Sequence, residues 1–189
     1  MKIKMELLSD VIFGNGMSVP GGEDISVLHD ANGFPYYKGG TFKGIFREEL
    51  IRYLDWTCED EKEREGIVKR LLGESGSDIE SDGKLIFSDF TLSDAVRYHF
   101  LSALGEDASD DILNAFTHMR SFTKINENGV AQEGSLRSGR CVNKGLCFYG
   151  ELSCKESDKA LVREVLSLVK WIGSMRNRGF GKVKITVED

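Results

Sequence analysis

Several features that mark secreted, membrane-spanning or metal-binding proteins are missing from this sequence. None of its apolar runs approaches the length of a membrane span, and residues 1–6 are too polar for the core of a secretion signal. It contains no Asn-x-Ser/Thr glycosylation site. None of its four cysteines forms a C-x-x-C pair, which disfavours a structural zinc or redox site. We therefore expect a cytoplasmic protein without membrane contact, whose cysteines are reduced.

Basic residues are scarce in the first part of the chain and concentrated in the second. The 189 residues carry a net charge of −6, which at first argues against binding to nucleic acid. Residues 112–189, however, hold 13 lysines and arginines against 8 acidic residues, whereas residues 1–111 hold 12 against 23. Because salt screens charge within roughly 8–10 Å, the acidic stretches at 59–65 and 74–82 do not exclude a basic groove elsewhere.

Hydrophobic periodicity predicts an α+β fold. The strongest elements, in chain order, are a strand at 2–13, a helix at 41–55, strands at 84–91 and 145–154, a helix at 157–172 and a strand at 182–188. This β-α-β-β-α-β order is that of a ferredoxin-like (RRM-like) domain. Weaker patterns predict a helix at 61–72 that stops at Gly73, a helix at 107–118 and a strand at 120–125. A single domain, 1–189, would carry insertions at 14–38, 60–83 (acidic) and 92–142.

The start of helix 41–55 is a candidate phosphate site. Two glycines allow the backbone to approach a ligand closely, and the first N–H groups of a helix attract anions. Lys43 and Arg47 add positive charge one helical turn apart. Thr41 is the expected N-cap. The alternative is an ordinary helix start with lysine and arginine at the surface.

A basic, glycine-bracketed loop at 173–182 is the second candidate. It contains Arg176, Arg178 and Lys182, whose charges could neutralise phosphates. Phe180 could stack on a base or pack beneath the loop. The alternative is a helix-to-strand turn whose charges face solvent.

Residues 126–140 form an extended excursion rich in glycine and polar residues. Val130 and Leu136 would give it apolar tips that could wedge between nucleotides. Arg137, Arg140 and the following Lys144 make it basic. The alternative is a mobile surface hairpin.

An early loop holds the candidate catalytic residues, Glu23, Asp24, His29 and Asp30. A carboxylate beside RNA can hold Mg²⁺ or take a proton from a 2′-hydroxyl, and His29 could act as a general base. The alternative for the carboxylates is turn formation. Turn formation is favoured for Asp30, within Asp-Ala-Asn-Gly, whereas spacing leaves both roles open for Asp24.

Four segments together resemble the RAMP superfamily of CRISPR-associated RNA-binding proteins, in particular the repeated backbone subunit of type III effector complexes. They are FPYYKGGTFKGIFR at 34–47, LIFSDF at 85–90, RSFTKINENGVA at 120–131 followed by SLR at 135–137, and RNRGFGK at 176–182. The segments follow the family's order across almost the whole chain. The resemblance implies a ferredoxin-like palm and a thumb β-hairpin, here residues 126–140, that pushes between a guide RNA and its target.

The resemblance also implies roles for individual residues. Val130 and Leu136 would form the thumb's wedge, and Asp24 would occupy the position of the catalytic, Mg²⁺-binding Asp of cutting subunits. The implied partners are guide crRNA, target RNA, copies of this chain and other type III effector subunits. The expected RNA-binding residues are Lys43, Arg47, Arg120, Lys124, Arg137, Arg176, Arg178 and Lys182.

These expectations favour a metal-dependent endoribonuclease that cleaves target RNA at regular intervals through Asp24. A flipped nucleotide would leave its neighbour's 2′-hydroxyl aligned with the scissile phosphate. Base pairing, not the protein, would supply sequence specificity. The main alternative is a non-catalytic RNA-binding scaffold of the same complex. Two others are a stand-alone processing ribonuclease that uses His29 as its base, and a ferredoxin-like domain that binds a small ligand.

Overall fold

The computed structural model describes residues 1–14, 23–73, 85–105 and 107–188. The helices are α1 (Gly39–Thr57), α2 (Glu61–Leu72), α3 (Asp94–Leu104), α4 (Ser109–Phe116) and α5 (Lys159–Leu168). The strands are β1 (Lys2–Leu7), β2 (Ile86–Phe87), β3 (Thr117–Phe122), β4 (Arg137–Val142), β5 (Cys147–Ser153) and β6 (Val183–Glu188). None of the described helices is long and apolar enough to cross a membrane.

Four strands form a central antiparallel sheet in the order β2-β5-β1-β6. With α1 and α5 as the two crossover helices, this is the predicted ferredoxin-like arrangement. Strand alternation turns Ile3, Met5 and Leu7 to one face, where all three are buried. The opposite face of β1 carries Lys2, Lys4 and Glu6, which explains why one face is packed and the other is polar.

Helices α1 and α5 cover the apolar face of the sheet. In α1, Phe42, Phe46 and Leu50 recur at helical spacing and are fully buried in the main core, where Val162 and Val165 of α5 join them. Burial of each such side chain contributes roughly 1.5–3 kcal/mol relative to exposure. The core therefore fixes the position of the α1 N-terminus beside the end of the sheet.

Strands β3 and β4 form a separate two-stranded antiparallel hairpin. Thr117 pairs with Val142 at one end of it, and Phe122 pairs with Arg137 at the other. The chain after β1 anchors this hairpin to the central sheet. Val11 exchanges backbone hydrogen bonds with Val142, at 3.1 and 2.8 Å. The predicted thumb, residues 126–140, therefore falls on the tip of this hairpin and most of β4.

The two predicted strands at 2–13 and 84–91 are shorter than expected. β1 ends at Leu7, after which the chain turns toward β4. The apolar pattern continues to residue 13 because Val11 and Phe13 are also buried. β2 has two residues; beyond it Phe90 forms an isolated bridge with Tyr37, and Thr91 forms one with Tyr149 of β5. Residues 15–22, 74–83 and 106, which belong to the three predicted insertions, and residue 84 of the predicted strand lie outside the described residues.

Two helix predictions need correction, and one helix was missed. α1 begins at Gly39 with Lys38 as its N-cap, so Thr41 is not the cap. The predicted helix 157–172 is α5, which ends at Leu168 and follows a separate 3-10 turn. Helix α3 was not predicted; it lies within the segment 92–142 that was expected to be an insertion, and none of its residues is fully buried. Helix 61–72 and its stop at Gly73 are confirmed.

Candidate nucleic-acid interface

The tip of the β3–β4 hairpin is an ordered turn with exposed apolar side chains. The Asn126 carboxamide oxygen accepts hydrogen bonds from the backbone N–H groups of Asn128 and Val130, both at 3.0 Å. Val130 is 60% exposed and Leu136 is 73% exposed. Exposed apolar groups on a projecting hairpin are available for contact with another molecule. The position of both residues is compatible with the predicted wedge.

A cleft of about 430 Å³ lies between the hairpin and the loop at 173–181; we call it the hairpin cleft. Three of the predicted RNA-binding cations, Lys124, Arg137 and Arg178, line it, together with one carboxylate, Glu133. All three cations are exposed. The fold thus brings basic residues of two separate segments, 124–137 and 178, into one groove where phosphates could be neutralised.

The loop at 173–181 is held in a tight, specific conformation. Gly181 has φ +82°, and a Cβ there would lie 1.9 Å from the Ile172 carbonyl oxygen, so glycine is required. Met175 adopts the left-handed conformation, with φ 57°, and packs beneath the loop. Phe180 is buried and meets the Phe122 ring at 5.7 Å. Of its two possible roles, Phe180 therefore packs under the loop.

Two of the predicted RNA-binding arginines have partners within the protein. The Arg47 guanidinium donates to the carbonyl oxygens of Leu72 and Gly73 at the end of α2. Arg120 lies over the Phe180 ring at 5.2 Å and donates to an Asp10 carboxylate oxygen at 3.3 Å. Both contacts give these arginines structural roles.

The remaining predicted cations lie on α1 and around the loop. Arg176 is half-exposed, 3.9 Å from the Glu48 carboxylate of α1. Lys43 is partly exposed on α1, and Lys182 is exposed just before β6. The first N–H of α1, from Gly39, donates to the Asp89 carboxylate at 2.8 Å. The chain's own carboxylate therefore occupies the helix start that was proposed for a phosphate.

Asp24 is fixed to the hairpin at the edge of the cleft. Its backbone N–H donates to the Ser138 carbonyl oxygen at 3.0 Å, and its carboxylate accepts from the Ser138 N–H at 2.7 Å. The next residue, Ile25, pairs with Gly139 and lines the hairpin cleft. Asp24 is exposed. Its carboxylate thus both holds the loop to β4 and remains accessible beside the basic groove.

Arg140 anchors the same loop, a role that sequence reasoning missed. Its guanidinium contacts the Glu23 carboxylate at 2.5 Å, the Asn114 side-chain oxygen at 2.7 Å and the Thr117 hydroxyl at 3.0 Å. Its side chain is only 15% exposed. No local signal could have found these contacts, because Glu23 and Arg140 are distant in sequence.

Asp10 is a second missed residue and joins the hairpin to the central sheet. Its carboxylate accepts hydrogen bonds from Arg120 and from the Lys144 N–H at 3.0 Å, and it lies 3.5 Å from a His118 ring nitrogen. Its carbonyl oxygen accepts from the Gly181 N–H. A residue shortly after β1 thus holds β3, the β4–β5 turn and the glycine-rich loop together.

The other residues of the early loop form a turn, as expected for Asp30. The Asp30 carboxylate accepts from the N–H groups of Asn32 and Phe34, both at 3.0 Å, and pairs with Arg97 at 2.7 Å. His29 is exposed, and its Nδ1 lies 3.0 Å from the backbone oxygen of Asp30.

Within the described ranges, no group of three His, Cys, Asp or Glu side chains is placed to hold a metal ion. Mg²⁺ commonly takes only one or two protein carboxylates and completes its shell with water and substrate phosphates. The exposed carboxylate of Asp24, beside a basic cleft, fits that kind of site. It does not by itself form a complete metal site.

Comparisons with known proteins agree with this architecture. A chain from the "Cryo-EM structure of the Type III-B Cmr-beta bound to cognate target RNA" matches with a TM-score of 0.69 at 13% identity, over 97% of this chain and 95% of that one. A chain from the "Type III-B Cmr-beta Cryo-EM structure of the Apo state" matches with a TM-score of 0.68 at 15% identity, over 100% and 97%. At these identities, the likeness shows a shared fold.

Sequence comparison supplies the family. A search of curated proteins finds no match. The RAMP superfamily model, by contrast, matches residues 4–184, which include most of the central sheet and the whole β3–β4 hairpin. This chain belongs to the RAMP superfamily.

Proposed function

We propose that the chain is a crRNA-binding backbone subunit of a type III CRISPR effector complex and that it cleaves target RNA through Asp24. The observation that carries this proposal is the arrangement at the hairpin cleft. Lys124, Arg137 and Arg178 converge there, and the Asp24 carboxylate is hydrogen-bonded to the neighbouring Ser138. Fold likeness to chains of Cmr-beta structures, one of them bound to target RNA, supports the RNA partner and the assembly into a larger complex.

The cleft and the hairpin tip would have different roles in RNA binding. The cations of the cleft would neutralise phosphates without reading bases. The exposed tip residues Val130 and Leu136 would wedge between nucleotides and distort the target strand. In a type III complex, copies of this chain would repeat this distortion along the guide and so produce cuts at regular intervals.

Asp24 would act on the distorted linkage. A carboxylate beside a freed 2′-hydroxyl can orient or accept its proton, and in-line attack on the adjacent phosphate leaves a 2′,3′-cyclic phosphate and a 5′-hydroxyl. Asp24 would be the residue that holds a divalent cation, which would supply positive charge against the negative charge that develops on the phosphate. The hydrogen bond from Ser138 fixes the carboxylate's position.

Asp24→Asn is the variant that tests cleavage. The amide oxygen can still accept the hydrogen bond from Ser138, so the loop should stay attached, but the side chain cannot take a proton. In an assembled, guide-loaded complex, we expect the rate of target cleavage to fall by at least about 100-fold. Target affinity should stay within about twofold of wild type. Glu61→Gln, which removes an exposed carboxylate from α2, is the control and should still cut.

The same experiment separates the two versions of the proposal. Unchanged cutting by Asp24→Asn, measured on denaturing gels with and without Mg²⁺, would remove Asp24 from the mechanism. A wild-type complex that binds target RNA but never cuts it would leave the non-catalytic scaffold as the function. Loss of both binding and cutting in Asp24→Asn would show that the residue is structural.

RNA binding by the cleft has its own test. Removal of one phosphate-neutralising side chain from a single-stranded site should reduce the slope of log affinity against log salt by about 0.7. We expect this reduction for Arg178→Ala and Arg137→Ala, measured by fluorescence anisotropy with labelled RNA. Lys62→Ala, a charge change on α2, is the control and should leave the slope unchanged. Equal slopes in all variants would contradict RNA binding at the cleft.

A further inference from the structure

A second cavity, of about 270 Å³, lies on the other side of the glycine-rich loop; we call it the α1 pocket. Its walls are the first turns of α1 and the start of the loop. Thr41, Gly44 and Glu48 line it from the helix, and Gly173, Ser174 and Arg176 line it from the loop. The pocket and the hairpin cleft share this loop, so an RNA strand that crosses the loop would meet both.

The α1 pocket contains a buried polar atom that lacks a partner. Tyr37 also lines the pocket and is only 3% exposed, and among the described residues its hydroxyl makes no hydrogen bond. Burial raises the pKa of Tyr37. The nearby Gly173 backbone and the Arg176 guanidinium lower this pKa, and the Glu48 carboxylate raises it further. These neighbours all line the pocket, and the Gly173 backbone is near enough to the hydroxyl to lower its pKa, although the geometry between them falls short of a hydrogen bond.

The chemistry of the lining points to a hydroxyl group as the ligand. Glu48 lies 3.9 Å from Arg176 and offsets its charge, so the pocket has no excess positive charge for a phosphate. It offers instead hydroxyls, a carboxylate and a guanidinium, which together can donate and accept hydrogen bonds. A ribose 2′-hydroxyl also donates and accepts, and it is the group that distinguishes RNA from DNA.

We propose that the α1 pocket receives a ribose 2′-hydroxyl of the bound RNA strand, with Tyr37 as its hydrogen-bonding partner. The chain would then select RNA over DNA through this contact. This inference rests on the proposed function, because it assumes that a strand lies across the loop. The contact would give the buried Tyr37 hydroxyl a hydrogen-bonding partner. A phenylalanine at this position would need none, because it has no buried polar group.

The test compares Tyr37→Phe with wild type on two ligands that differ only in the 2′-hydroxyl. The full-length chain would be titrated with fluorescent oligouridylate and with oligodeoxyuridylate of equal length. We expect wild type to prefer the RNA by about 3- to 10-fold, the range of one neutral hydrogen bond. Tyr37→Phe should weaken only RNA binding and bring the ratio toward one. Tyr36→Phe removes a neighbouring hydroxyl outside the pocket and should change nothing.

Thermal unfolding supplies a second readout. Because the Tyr37 hydroxyl has no partner among the described residues, Tyr37→Phe should unfold at the wild-type temperature or above it. A lower unfolding temperature would mean that the hydroxyl has a protein partner and would overturn the inference. An unchanged RNA-to-DNA ratio in Tyr37→Phe would also overturn it. A wild-type chain that binds neither polymer would overturn the proposed function as well, which keeps the two failures distinct.

Discussion

Replacement of Arg140 by alanine should detach the loop that carries Asp24 from the β3–β4 hairpin. The guanidinium has partners on three segments: Glu23 in the loop, Asn114 on α4 and Thr117 at the start of β3. With the Arg140 and Glu23 side chains only 15% and 20% exposed, solvent can replace these contacts only in part.

The size of the effect follows from that partial burial. A solvent-exposed ion pair contributes up to about 1 kcal/mol, whereas breaking a buried pair costs about 3–5 kcal/mol. The Arg140 network lies between these limits, so we expect Arg140→Ala to lower the free energy of unfolding by about 2–4 kcal/mol. For a chain of this size, that corresponds to a fall in Tm of roughly 4–16 °C.

Urea and thermal unfolding would measure the stability of Arg140→Ala, and target cleavage would measure its function. Because Lys124 and Arg178 remain in the hairpin cleft, we expect cleavage to fall more than RNA affinity. Arg140→Lys keeps the charge but cannot reach all three partners, so its stability should be intermediate. A Tm for Arg140→Ala equal to that of wild type would refute the claim that this network holds the loop.

Three further predictions concern single features of the structure. Gly181→Ala should destabilise the protein by about 1–3 kcal/mol more than Gly179→Ala in urea unfolding, because both have positive φ but only Gly181 lies against backbone; equal destabilisation would contradict this. Val130→Ser with Leu136→Ser should leave the free energy of unfolding within about 0.5 kcal/mol of wild type, because both are exposed. The pair should also reduce the fluorescence of 2-aminopurine in the target strand, because the base would stay stacked. An unchanged fluorescence would contradict the wedge role of Val130 and Leu136. Burial raises the pKa of Cys141 from its usual value of 9.0 to about 11, so the folded protein keeps a proton that the unfolded chain loses. Cys141 should therefore contribute a fall in stability of roughly 2–3 kcal/mol as pH rises from about 9 to 11, and the slope should be smaller by that amount in Cys141→Ala.

The central sheet was predictable because its signals are local. Ile3, Met5 and Leu7 alternate in a strand that is buried on one face, and Phe42 and Phe46 recur at the helical period. These patterns depend only on which face of an element meets the core. The β-α-β-β-α-β order then limits the topology to few arrangements, of which the ferredoxin-like sheet is the observed one.

The parts that were not predicted depend on contacts between distant segments. α1 begins at Gly39 rather than Thr41, and the Gly39 N–H donates to the Asp89 carboxylate fifty residues away. Arg47 was predicted to bind RNA, and its guanidinium also donates to the carbonyl groups at the end of α2, a contact that its spacing does not reveal. Sequence spacing identifies a cationic side chain, but only the fold shows whether that side chain also makes contacts with a distant part of the chain.

The candidate site was predicted in part for the same reason. Lys124, Arg137 and Arg178 were identified as RNA-binding from charge and resemblance, and the fold brings them to one cleft. Tyr37 carried no signal, because an aromatic residue before a helix is normally a core residue. Its hydroxyl becomes informative only once the surrounding side chains are known.

The connection of Asp24 to β4 bears on how cuts could be placed accurately. One six-residue strand carries Arg137 in the cleft, the Ser138 N–H that holds the Asp24 carboxylate, and Arg140, which holds Glu23. A movement of the hairpin would therefore carry the carboxylate with it and preserve its distance from a nucleotide distorted by the hairpin tip. In-line attack is sensitive to misplacement by about 1 Å. A carboxylate on a separately moving loop would lose that distance, so the proposed cleavage requires the Asp24 loop to be attached to the hairpin itself.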